Sequence, residues 1–278
     1  MKKILITGAN SYVGTSFEKW LSQWPDKYHV DTIDMIDGTW REKSFVGYDV
    51  IFHVAGIAHI KETKENAHLY YEINRDLAFE TAQKAKTDGV SQFIFMSSMS
   101  VYGIESGVIT KDTKPSPKSH YGKSKLEAEE KISLLIDNTF VLAVLRPPMI
   151  YGKGCKGNYQ RLSEFAKKAP IFPDIHNERS MIYIDNLSEF IRNLIDEQTR
   201  GLFLPQNKEY VCTSELVRKI AKIYGKNIKG FCIFNPLIKI LMRKIEILNK
   251  VFGNLIYLQD ASVCSTVGFE ESVRMSEK

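Results

Sequence analysis

Residues 3–14 read KILITGANSYVG, a short β-branched apolar run followed by a turn with a glycine at each end. The apolar run, residues 3–7, is typical of a strand buried in a parallel sheet. Helical spacing follows over residues 15–23. A strand, a glycine-containing turn and a helix in this order are what a dinucleotide-binding turn requires, although an ordinary βα turn fits the same residues.

The turn supplies the expected contacts with a dinucleotide. Gly8 permits a tight turn, Gly14 allows the helix to pack closely, and Ser11 stands where the usual pattern has its middle glycine. The backbone N–H groups at the start of the helix would face the pyrophosphate. We therefore expect cofactor contacts from six residues of the turn: Gly8, Asn10, Ser11, Tyr12, Val13 and Gly14.

Asp34 ends the second predicted strand, residues 29–34, roughly 20 residues beyond Gly14. A carboxylate in this place accepts hydrogen bonds from the adenosine ribose hydroxyls and repels a 2′-phosphate. Asp34 therefore favours NAD over NADP, unless it only caps a turn.

Predicted strands and helices alternate up to residue 150. The strands are residues 3–7, 29–34, 50–56, 92–96 and 140–145, and the longest helical patterns after the first are residues 65–86 and 124–136. This alternation predicts an α/β fold, a Rossmann-like doubly wound parallel sheet. We expect a dinucleotide-binding domain at residues 1–151, with residues 180–200 interleaved with it, and a mostly substrate-binding lobe at residues 152–278.

Two of the predicted strands end in residues suited to a ligand. Ala55 and Gly56 end the third strand, and their small size would let a cofactor lie across it. Ser97 and Ser98 follow the fourth strand. Since the carboxyl ends of parallel strands face the crevice where ligands bind, we expect these hydroxyls to lie in that crevice.

Tyr121 and Lys125 are four residues apart, so on a helix both side chains lie on one face. An ammonium near a phenol lowers the phenol pKa and would make Tyr121 an acid or base near neutral pH. The same spacing is common by chance at an exposed helix start. The catalytic interpretation is favoured only because the pair occurs in the same chain as a predicted dinucleotide-binding turn and a predicted strand that ends in serines.

Composition limits the class of partner. The chain has 278 residues, is 44% hydrophobic and 26% charged, and carries a net charge of +5. This mild excess suits an anionic substrate or cofactor and does not favour nucleic acid. Four separated cysteines without a CxxC pair predict no metal site. The apolar run at the N-terminus is too short for a signal peptide. No apolar stretch of the sequence approaches the length of a membrane span, so we expect a cytoplasmic protein without stable membrane insertion.

Residues 235–252 form an amphipathic and basic pattern. Apolar residues alternate there with basic ones: Leu237, Ile238, Ile240, Leu241 and Ile245 with Lys239, Arg243, Lys244 and Lys250. A single helix with this pattern could contact a membrane surface or a partner. The more ordinary alternative is a helix that packs on the core and leaves a solvated basic face.

Eight motifs occur in a fixed order between residues 4 and 190: Thr7-Gly8-x-x-Ser11-x-x-Gly14, Asp34, His53-Val54-Ala55-Gly56, Asn74, Met96-Ser97-Ser98-x-x-Val101-Tyr102-Gly103, Tyr121-x-x-x-Lys125, Leu145-Arg146-Pro147-x-x-Ile150-Tyr151-Gly152 and Arg179-x-x-x-Tyr183-Ile184-Asp185. Together they resemble the extended short-chain dehydrogenase/reductase family, in its nucleotide-sugar epimerase/dehydratase/4-ketoreductase branch. Residues 93–97, 146–152 and 252–257 are also similar to bacterial capsule enzymes that reduce a UDP-linked 4-keto-6-deoxy-N-acetylhexosamine.

The resemblance implies a catalytic set of three residues. Ser98 would hydrogen-bond the sugar O4, and its neighbour Ser97 is the residue most easily confused with it. Tyr121 would be the acid/base, and Lys125 would bind the nicotinamide ribose and tune the tyrosine. Both would thus also contact NAD, with NADP the less favoured cofactor.

The resemblance further implies binding residues outside that set. Asn74, Ala55 and Gly56 would contribute to the cofactor site, and Pro148 with its neighbour Pro147 would lie near the nicotinamide. Two more residues fall where family members hold the UDP diphosphate, namely Asn158 and Arg179. A plain loop asparagine and a surface arginine remain the alternatives for these two.

The function implied is hydride transfer at sugar C4. We expect reduction of a UDP-4-keto sugar for capsule or surface polysaccharide, with a UDP-hexose 4-epimerase that keeps NAD as the alternative. Met99 and Ser100 follow Ser98 where dehydratases carry an Asp-Glu pair, which argues against dehydration. A non-catalytic dinucleotide-binding sensor is a second alternative. Family likeness also suggests a homodimer packed through two helices per subunit.

Overall fold

A six-stranded parallel sheet is the main feature of the computed structural model, which describes residues 1–58, 60–242, 244–259, 263–264 and 266–278. In chain order the strands are β1 (Lys2–Thr7), β2 (Tyr28–Ile33), β3 (Val50–His53), β4 (Gln92–Met96), β5 (Gly107–Ile109), β6 (Val141–Leu145), β7 (Met149–Tyr151), β8 (Ile171–Pro173), β9 (Met181–Tyr183), β10 (Gly201–Phe203), β11 (Gln206–Asn207), β12 (Lys229–Phe231), β13 (Leu255–Tyr257) and β14 (Val263–Cys264). The α-helices are α1 (Tyr12–Leu21), α2 (Ala67–Tyr70), α3 (Leu77–Thr87), α4 (His120–Ser133), α5 (Asn158–Ala166), α6 (Ile184–Asp196), α7 (Thr213–Ile223), α8 (Asn235–Met242), α9 (Glu246–Phe252) and α10 (Phe269–Glu277).

The strand order of the sheet is β2-β1-β3-β4-β6-β10, and each neighbouring pair is parallel. This confirms the predicted Rossmann-like α/β fold. The winding reverses between β1 and β3, and a ligand crevice is expected beyond the carboxyl ends of strands at such a point. The sequence did not predict β10, because its three residues are too few to show a period.

Large apolar side chains pack on both faces of the sheet. On one face, Leu5, Ile51 and Phe93 lie side by side and pack with alanines of α3 and α4, whose small size brings these helices close to the strands. On the other face, the ring of Phe52 meets that of Phe17 in α1 edge-on, with 5.2 Å between centroids. Burial of each such side chain contributes roughly 1.5–3 kcal/mol.

The helical pattern of residues 65–86 folds as three consecutive segments, which corrects the prediction of one helix. A π-helical segment, Tyr71–Asp76, separates α2 from α3. It carries Asn74, whose side chain is fully buried. Such π turns are rare and frequently occur at functional sites, and a period of 3.6 residues does not reveal them.

The chain divides into two compact units. The first consists of Met1–Gly103, Lys114–Pro147 and Leu187–Pro205, and it contains the central sheet. The second consists of Ile104–Thr113, Pro148–Asn186 and Gln206–Lys278, and its strands pair two by two as β7–β9, β5–β13, β8–β12 and β11–β14. The predicted boundaries did not place Ile104–Thr113 in the second unit, which it joins because β5 pairs with β13.

The basic segment at residues 235–252 forms two helices, α8 and α9, where one was predicted. Arg243, which the basic pattern included, lies outside the described residues. No residue of α8 is buried, so the expectation that the segment packs on the core is wrong for this helix. Over the described part of the chain, no helix combines the length and the apolar character needed to cross a bilayer.

Candidate active site

The carboxyl ends of three central strands lie in register. Thr7 of β1 pairs with His53 of β3, and His53 pairs with Phe95 of β4. The Gly8 turn follows the first of these strands and Ser98 follows the third. Residues that were predicted from separate motifs therefore meet at one edge of the first unit.

The glycine turn is built to let a ligand approach the backbone. Gly8 has a φ of +90°, and a Cβ there would come within 2.9 Å of the backbone of Ala55. Asn10 also has a positive φ, of 65°. Ser11 caps α1, since its Oγ accepts from the N–H of Gly14 at 3.1 Å. The serine thus takes a structural role at the position of the missing glycine, and the tight turn is kept.

The start of α1 offers backbone donors next to this turn. Tyr12 and Val13 form its first turn and are partly exposed. N–H groups in a first helical turn have no partner within the helix, and the helix dipole favours an anion there. With Gly8 and Gly14 closing the turn around them, these groups fit the pyrophosphate of a dinucleotide.

Asp34 stands exposed just beyond β2. The carbonyl of its neighbour Ile33 accepts from the N–H groups of both Gly8 and Ala9, which fixes the end of β2 against the glycine turn. One carboxylate oxygen of Asp34 accepts from the N–H of Ile36 at 2.9 Å. Asp34 therefore caps a turn, as the alternative interpretation expected. The same hydrogen bond orients the carboxylate that was predicted to bind the ribose.

Asn74 holds the loop that follows β3. Its Oδ1 accepts from the N–H of Ile57 at 2.8 Å, and its Nδ2 donates to the carbonyl of Ile57 at 3.1 Å and to Oγ of Ser124 at 3.3 Å. A Cβ on Gly56 would lie 2.8 Å from Asn74 Oδ1 and 3.2 Å from Lys125 Nζ, so this position requires glycine. Asn74 is fully buried and positions this loop, and its predicted contact with the cofactor stays a prediction.

Ser98 and Tyr121 are brought together by β4 and α4. Tyr121 lies in the first turn of α4, and Ser98 begins the short turn after β4, where its Oγ accepts from the N–H of Ser100 at 3.1 Å. The Ser98 hydroxyl lies near enough to the phenol of Tyr121 to act on its pKa, which it lowers. Two members of the predicted catalytic set are thus neighbours.

The pKa of Tyr121 departs from the sequence prediction. Burial raises it above its ordinary value, the nearby Ser98 hydroxyl opposes that rise, and the neighbouring phenol of Tyr70 adds to it. The expectation that Lys125 lowers this pKa is wrong for this structure. The reason is that the ammonium makes its contact elsewhere.

Lys125 is buried behind the strand ends, with only 4% of its surface exposed. Its Nζ donates to the carbonyl of Met96 at 2.9 Å and lies 4.9 Å from the ring centroid of Phe95. Burial lowers the pKa of Lys125 to about 8, and the nearby charge of Glu129 partly opposes this shift. Lys125 therefore links the end of β4 to the loop at Gly56 and stays mostly protonated at neutral pH.

A buried ion pair lies one helical turn from Lys125 and stabilises this part of α4. Arg146 and Glu129 form a two-pronged contact, with Nη2 to Oε2 at 2.5 Å and Nε to Oε1 at 3.1 Å. Ser97 donates to the same carboxylate, and the guanidinium donates to the Tyr102 hydroxyl at 2.9 Å. Sequence reasoning missed this network, although Glu129 follows Lys125 by one helical turn and so shares its face.

Glu62 is a second residue that the sequence did not reveal. Its carboxylate accepts from the N–H of His120 at 3.1 Å and from the N–H of Tyr121 at 3.0 Å. Together with Ser119, whose Oγ accepts from Gly122, it caps the helix that carries Tyr121. No spacing rule points to Glu62, because it lies in an irregular loop far from α4 in sequence.

His53 is a neutral histidine inside the sheet. Its Nδ1 is hydrogen-bonded to Oγ1 of Thr7 at 2.8 Å, and its ring stacks between those of Phe93 and Phe95. Burial lowers the pKa of His53 to about 3, with a smaller contribution from the charge of Lys125. The residue therefore carries no charge near neutral pH and serves the sheet end as a rigid ring.

The remaining predicted residues lie on other elements. Pro147 is buried in the first unit, and its carbonyl accepts from the N–H of Met99 at 3.0 Å. Pro148 is buried and belongs to the second unit. Asn158 begins α5, and Arg179, partly buried, donates to the carbonyl of Gly253 at 3.0 Å. The structure describes these two on separate elements of the second unit, and their phosphate roles stay predictions.

A metal centre is not among the described features. Within the described residues, no group of three or more His, Cys, Asp or Glu side chains is arranged to hold a metal ion.

A model of the NAD-dependent epimerase/dehydratase family matches residues 4–203. The chain belongs to this family. NAD is accordingly its cofactor, and the glycine turn, the start of α1 and Asp34 are the features of the first unit that fit it. A member of this family is an enzyme, which disfavours the alternative of a non-catalytic sensor.

Two curated relatives of this family cover most of the chain. The UDP-glucose 4-epimerase of Vibrio cholerae is 30% identical over 246 residues, with 79% of this chain and 75% of the relative covered. The N-acetyl-alpha-D-glucosaminyl-diphospho-ditrans,octacis-undecaprenol 4-epimerase of Escherichia coli O157:H7 is 25% identical, with 96% of this chain and 87% of the relative covered.

Solved structures share the fold. The UDP-glucuronic acid 4-epimerase from Bacillus cereus, in complex with NAD, has a TM-score of 0.78 at 19% identity and is matched over 99% of this chain and 95% of its own. A dTDP-4-dehydrorhamnose reductase from Clostridium acetobutylicum has a TM-score of 0.69 at 23% identity, with 83% of each chain covered. Likeness at this level of identity establishes the architecture alone.

Proposed function

We propose that this family member transfers a hydride at C4 of a sugar carried on a diphosphate, with a UDP-sugar as the main substrate class. The observation that carries the proposal is that Ser98 lies near Tyr121, with Lys125 buried one helical turn further along α4. Ser98 and Tyr121 are two hydroxyls of the kind needed to hold and titrate one sugar oxygen.

NAD, when bound, supplies the acceptor and donor of the hydride. The protein residues handle the proton and the orientation. Ser98 donates a hydrogen bond to the C4 oxygen, and Tyr121 takes the proton from that oxygen or returns it. Lys125, with a pKa of about 8, provides a positive charge at the strand ends near neutral pH. Gly56 leaves the space beside Nζ that a larger residue would fill.

Epimerisation is the first candidate for the net reaction. Its support comes from the relatives, because two named 4-epimerases align with most of the chain. In this reaction the 4-keto sugar stays bound and rotates in the site. The hydride then returns to the opposite face of C4. Tyr121 then first accepts a proton and later gives it back to the same oxygen.

Reduction of a 4-keto sugar is the second candidate, and one observation favours it. Burial raises the pKa of Tyr121, which keeps the phenol protonated and ready to donate to a ketone oxygen. This is the direction that the likeness to capsule ketoreductases suggests. Dehydration is not proposed, since Met99 and Ser100 stand where the acid/base pair of dehydratases is expected.

A polyprenyl-diphosphate sugar is a further substrate class to test beside UDP-sugars. The E. coli relative is named for a sugar linked through a diphosphate to undecaprenol, and it aligns with 96% of this chain. A UDP-sugar and a polyprenyl-diphosphate sugar share the glycosyl diphosphate. Arg179 and Asn158 are the proposed contacts for that shared group.

The test separates the two net reactions. The purified protein is incubated with UDP-hexoses and UDP-N-acetylhexosamines without added cofactor, and C4 epimers are resolved by chromatography. In parallel, oxidation of NADH is followed with a UDP-4-keto sugar. Interconversion without added cofactor supports the epimerase, and NADH oxidation that needs the keto sugar supports the reductase. Absence of both, with the polyprenyl-diphosphate sugar tested as well, would refute C4 chemistry.

Tyr121→Phe is the variant that tests the assigned residues. Loss of the titratable hydroxyl should lower kcat roughly a hundred- to ten-thousandfold, because proton transfer by a positioned side chain contributes that much. NAD binding, followed by fluorescence, should be retained. Tyr224→Phe, an exposed tyrosine in the second unit, is the matched control and should keep full activity.

A further inference from the structure

The helices α8 and α9 present an apolar surface to solvent. We call this surface the α8–α9 face, and its members, with the exposed fraction of each, are Ile233 (85%), Phe234 (57%), Leu237 (52%), Ile240 (61%), Ile245 (41%) and Ile247 (71%). Single exposed apolar residues are ordinary, whereas six of them within residues 233–247, on and beside two neighbouring helices, indicate a binding surface.

The spacing along α8 places the exposed residues on one side of the helix. Phe234, Leu237 and Ile240 recur every three residues, which keeps them within one stripe. An amphipathic helix in a globular protein turns such a stripe inward. Here α8 has no buried residue, so its stripe faces outward.

Contacts with other residues of the second unit anchor the two helices that carry the α8–α9 face. Asn235, at the start of α8, donates from Nδ2 to the carbonyl of Asp174 at 2.8 Å. At the far end of α9, Phe252 is buried and its ring lies 5.5 Å from that of Phe172. Lys250 pairs with Glu105 at 3.5 Å. The exposed stripe is thus held at both ends, which a frayed terminal segment would not be.

Positive charge is concentrated around this face. Residues 226–250 contain five lysines and one arginine against one glutamate, a net charge of +5, which equals the net charge of the whole chain. The rest of the chain is therefore neutral overall. Lys239 and Lys244 are exposed beside the apolar stripe. An apolar stripe flanked by lysines matches a surface that is negatively charged outside and apolar beneath.

We propose that the α8–α9 face docks on the surface of an anionic phospholipid bilayer, with the apolar side chains entering the headgroup region and the lysines contacting lipid phosphates. A second copy of the chain fits the face less well, since it would bring two surfaces of net charge +5 together. Such docking requires no spanning helix. It is independent of which sugar the active site takes.

The experiment is co-sedimentation of the purified full chain with vesicles. One set contains phosphatidylcholine only, and the other contains equal parts of phosphatidylcholine and phosphatidylglycerol. We expect the wild-type protein to bind the anionic vesicles roughly tenfold more than the neutral ones at about 0.05 M salt, and to lose most of that preference at about 0.5 M salt. Equal, negligible binding to both sets would overturn the proposal.

Two variants separate the apolar from the electrostatic contribution. Phe234→Ser/Leu237→Ser/Ile240→Ser should lower binding at least tenfold at either salt concentration, and Lys239→Gln/Lys244→Gln should lower only the anionic preference. Val46→Ser/Leu134→Ser removes two exposed apolar residues from the first unit, 69% and 83% exposed, and should bind like wild type. Equal losses in this control would show non-specific adhesion and overturn the proposal.

The oligomeric state and the enzymatic rate show whether a loss of vesicle binding comes from dimerisation, from misfolding or from the absence of membrane docking. The alternative is that the α8–α9 face joins two copies of the chain. In that case the wild type will sediment as a dimer, the triple serine variant will sediment as a monomer, and the wild type will not bind vesicles. This outcome contradicts membrane docking. Turnover of a water-soluble UDP-sugar should be unchanged in all three variants. Such turnover shows that the variants are folded, and its presence or absence in wild type bears on the proposed function alone.

Discussion

The carboxyl edge of the central sheet and the α8–α9 face depart from the usual distribution of side chains in opposite ways. At the sheet edge, Lys125, Glu129, Arg146 and His53 are buried. At the α8–α9 face, six large apolar side chains are exposed. Charged groups are rarely buried without partners, and contiguous apolar surface is rarely left to solvent without a function.

The difference shows which interactions each region requires. The buried charges are satisfied inside the first unit, since Arg146 pairs with Glu129 and Lys125 donates to Met96. Removing one member of such a network leaves another uncompensated in a medium that solvates charge poorly. The exposed apolar residues belong to no such network, although the ring of Phe234 meets that of Phe231 edge-on. Substitutions at the sheet edge should therefore change folding, and those at the α8–α9 face should change association.

Arg146→Met is expected to have the largest effect. It leaves Glu129, whose side chain is only 8% exposed, as a buried carboxylate without its cation. Breaking a buried pair in this way costs about 3–5 kcal/mol of unfolding free energy, measurable by urea denaturation. The double variant Glu129→Leu/Arg146→Met should recover much of the loss, because no charge is then left unpaired.

Arg274→Ala is the control for that experiment. Arg274 pairs with Glu271 on the surface, where the side chains are 53% and 48% exposed. Solvent replaces such a pair, so the urea midpoint should not move. A shift equal to that of Arg146→Met would mean that burial does not determine the strength of these pairs.

His53 gives the sheet edge a pH dependence of intermediate size. Its pKa is about 3 in the folded protein against 6.5 for an ordinary histidine, so the unfolded chain binds more protons between these values. Stability is then fully present above pH 6.5 and falls as the pH drops toward 3. Between about pH 6 and pH 4 the loss from this group should be about 2 kcal/mol.

His53→Gln removes this titration and should flatten the acid limb of the stability curve in urea titrations at several pH values. His68→Gln, an exposed histidine in α2, should leave that limb as it is. If the two variants show the same pH dependence, the buried ring is not the group that titrates.

Glu62→Ala is expected to have a smaller effect. The side chain accepts from the first two N–H groups of α4, and its loss should lower the unfolding free energy by about 1 kcal/mol. Because one of these groups belongs to Tyr121, kcat should also fall a few-fold while NAD binding is kept. Glu65→Ala, in the same loop, is the matched substitution and should change neither the stability nor kcat.

Ile240→Ser should have the smallest effect on folding. Ile240 is 61% exposed on α8, so its removal should change the unfolding free energy by less than about 0.5 kcal/mol. Its effect should be seen as lower retention on a hydrophobic column. A large loss of stability would mean that the α8–α9 face is covered within the protein, which would remove the contrast with the sheet edge.

Much of the first unit could be predicted from local patterns. The residues of β4 were predicted with their observed bounds, since five apolar-rich residues lie between a glycine turn and a serine run. The glycine turn, Ser98, Tyr121 and Lys125 were found because short motifs carry them. The pairing of Arg146 with Glu129 and the cap by Glu62 were not predicted, because each joins elements that are distant in the chain.

Other errors have local physical causes. A period of 3.6 residues treats residues 65–86 as one helix, although a π turn at Tyr71–Asp76 interrupts it. The same period joins α8 to α9 and gives no sign that the stripe faces outward, since periodicity shows that a helix has two sides and not which one is covered. The pKa of Tyr121 was misjudged because spacing placed Lys125 beside it and did not reveal Met96 as the lysine's acceptor.

The pairing of β5 with β13 has a consequence for the order in which the chain can fold during synthesis. The strand at Gly107–Ile109 leaves the ribosome long before its partner at Leu255–Tyr257. The central sheet likewise gains its edge strand only with Gly201–Phe203. Neither unit can be completed from one continuous stretch of nascent chain, so contacts of high sequence separation should slow the final step. A ribosome-arrested chain that ends before Leu255 should accordingly remain open to proteases in its second unit.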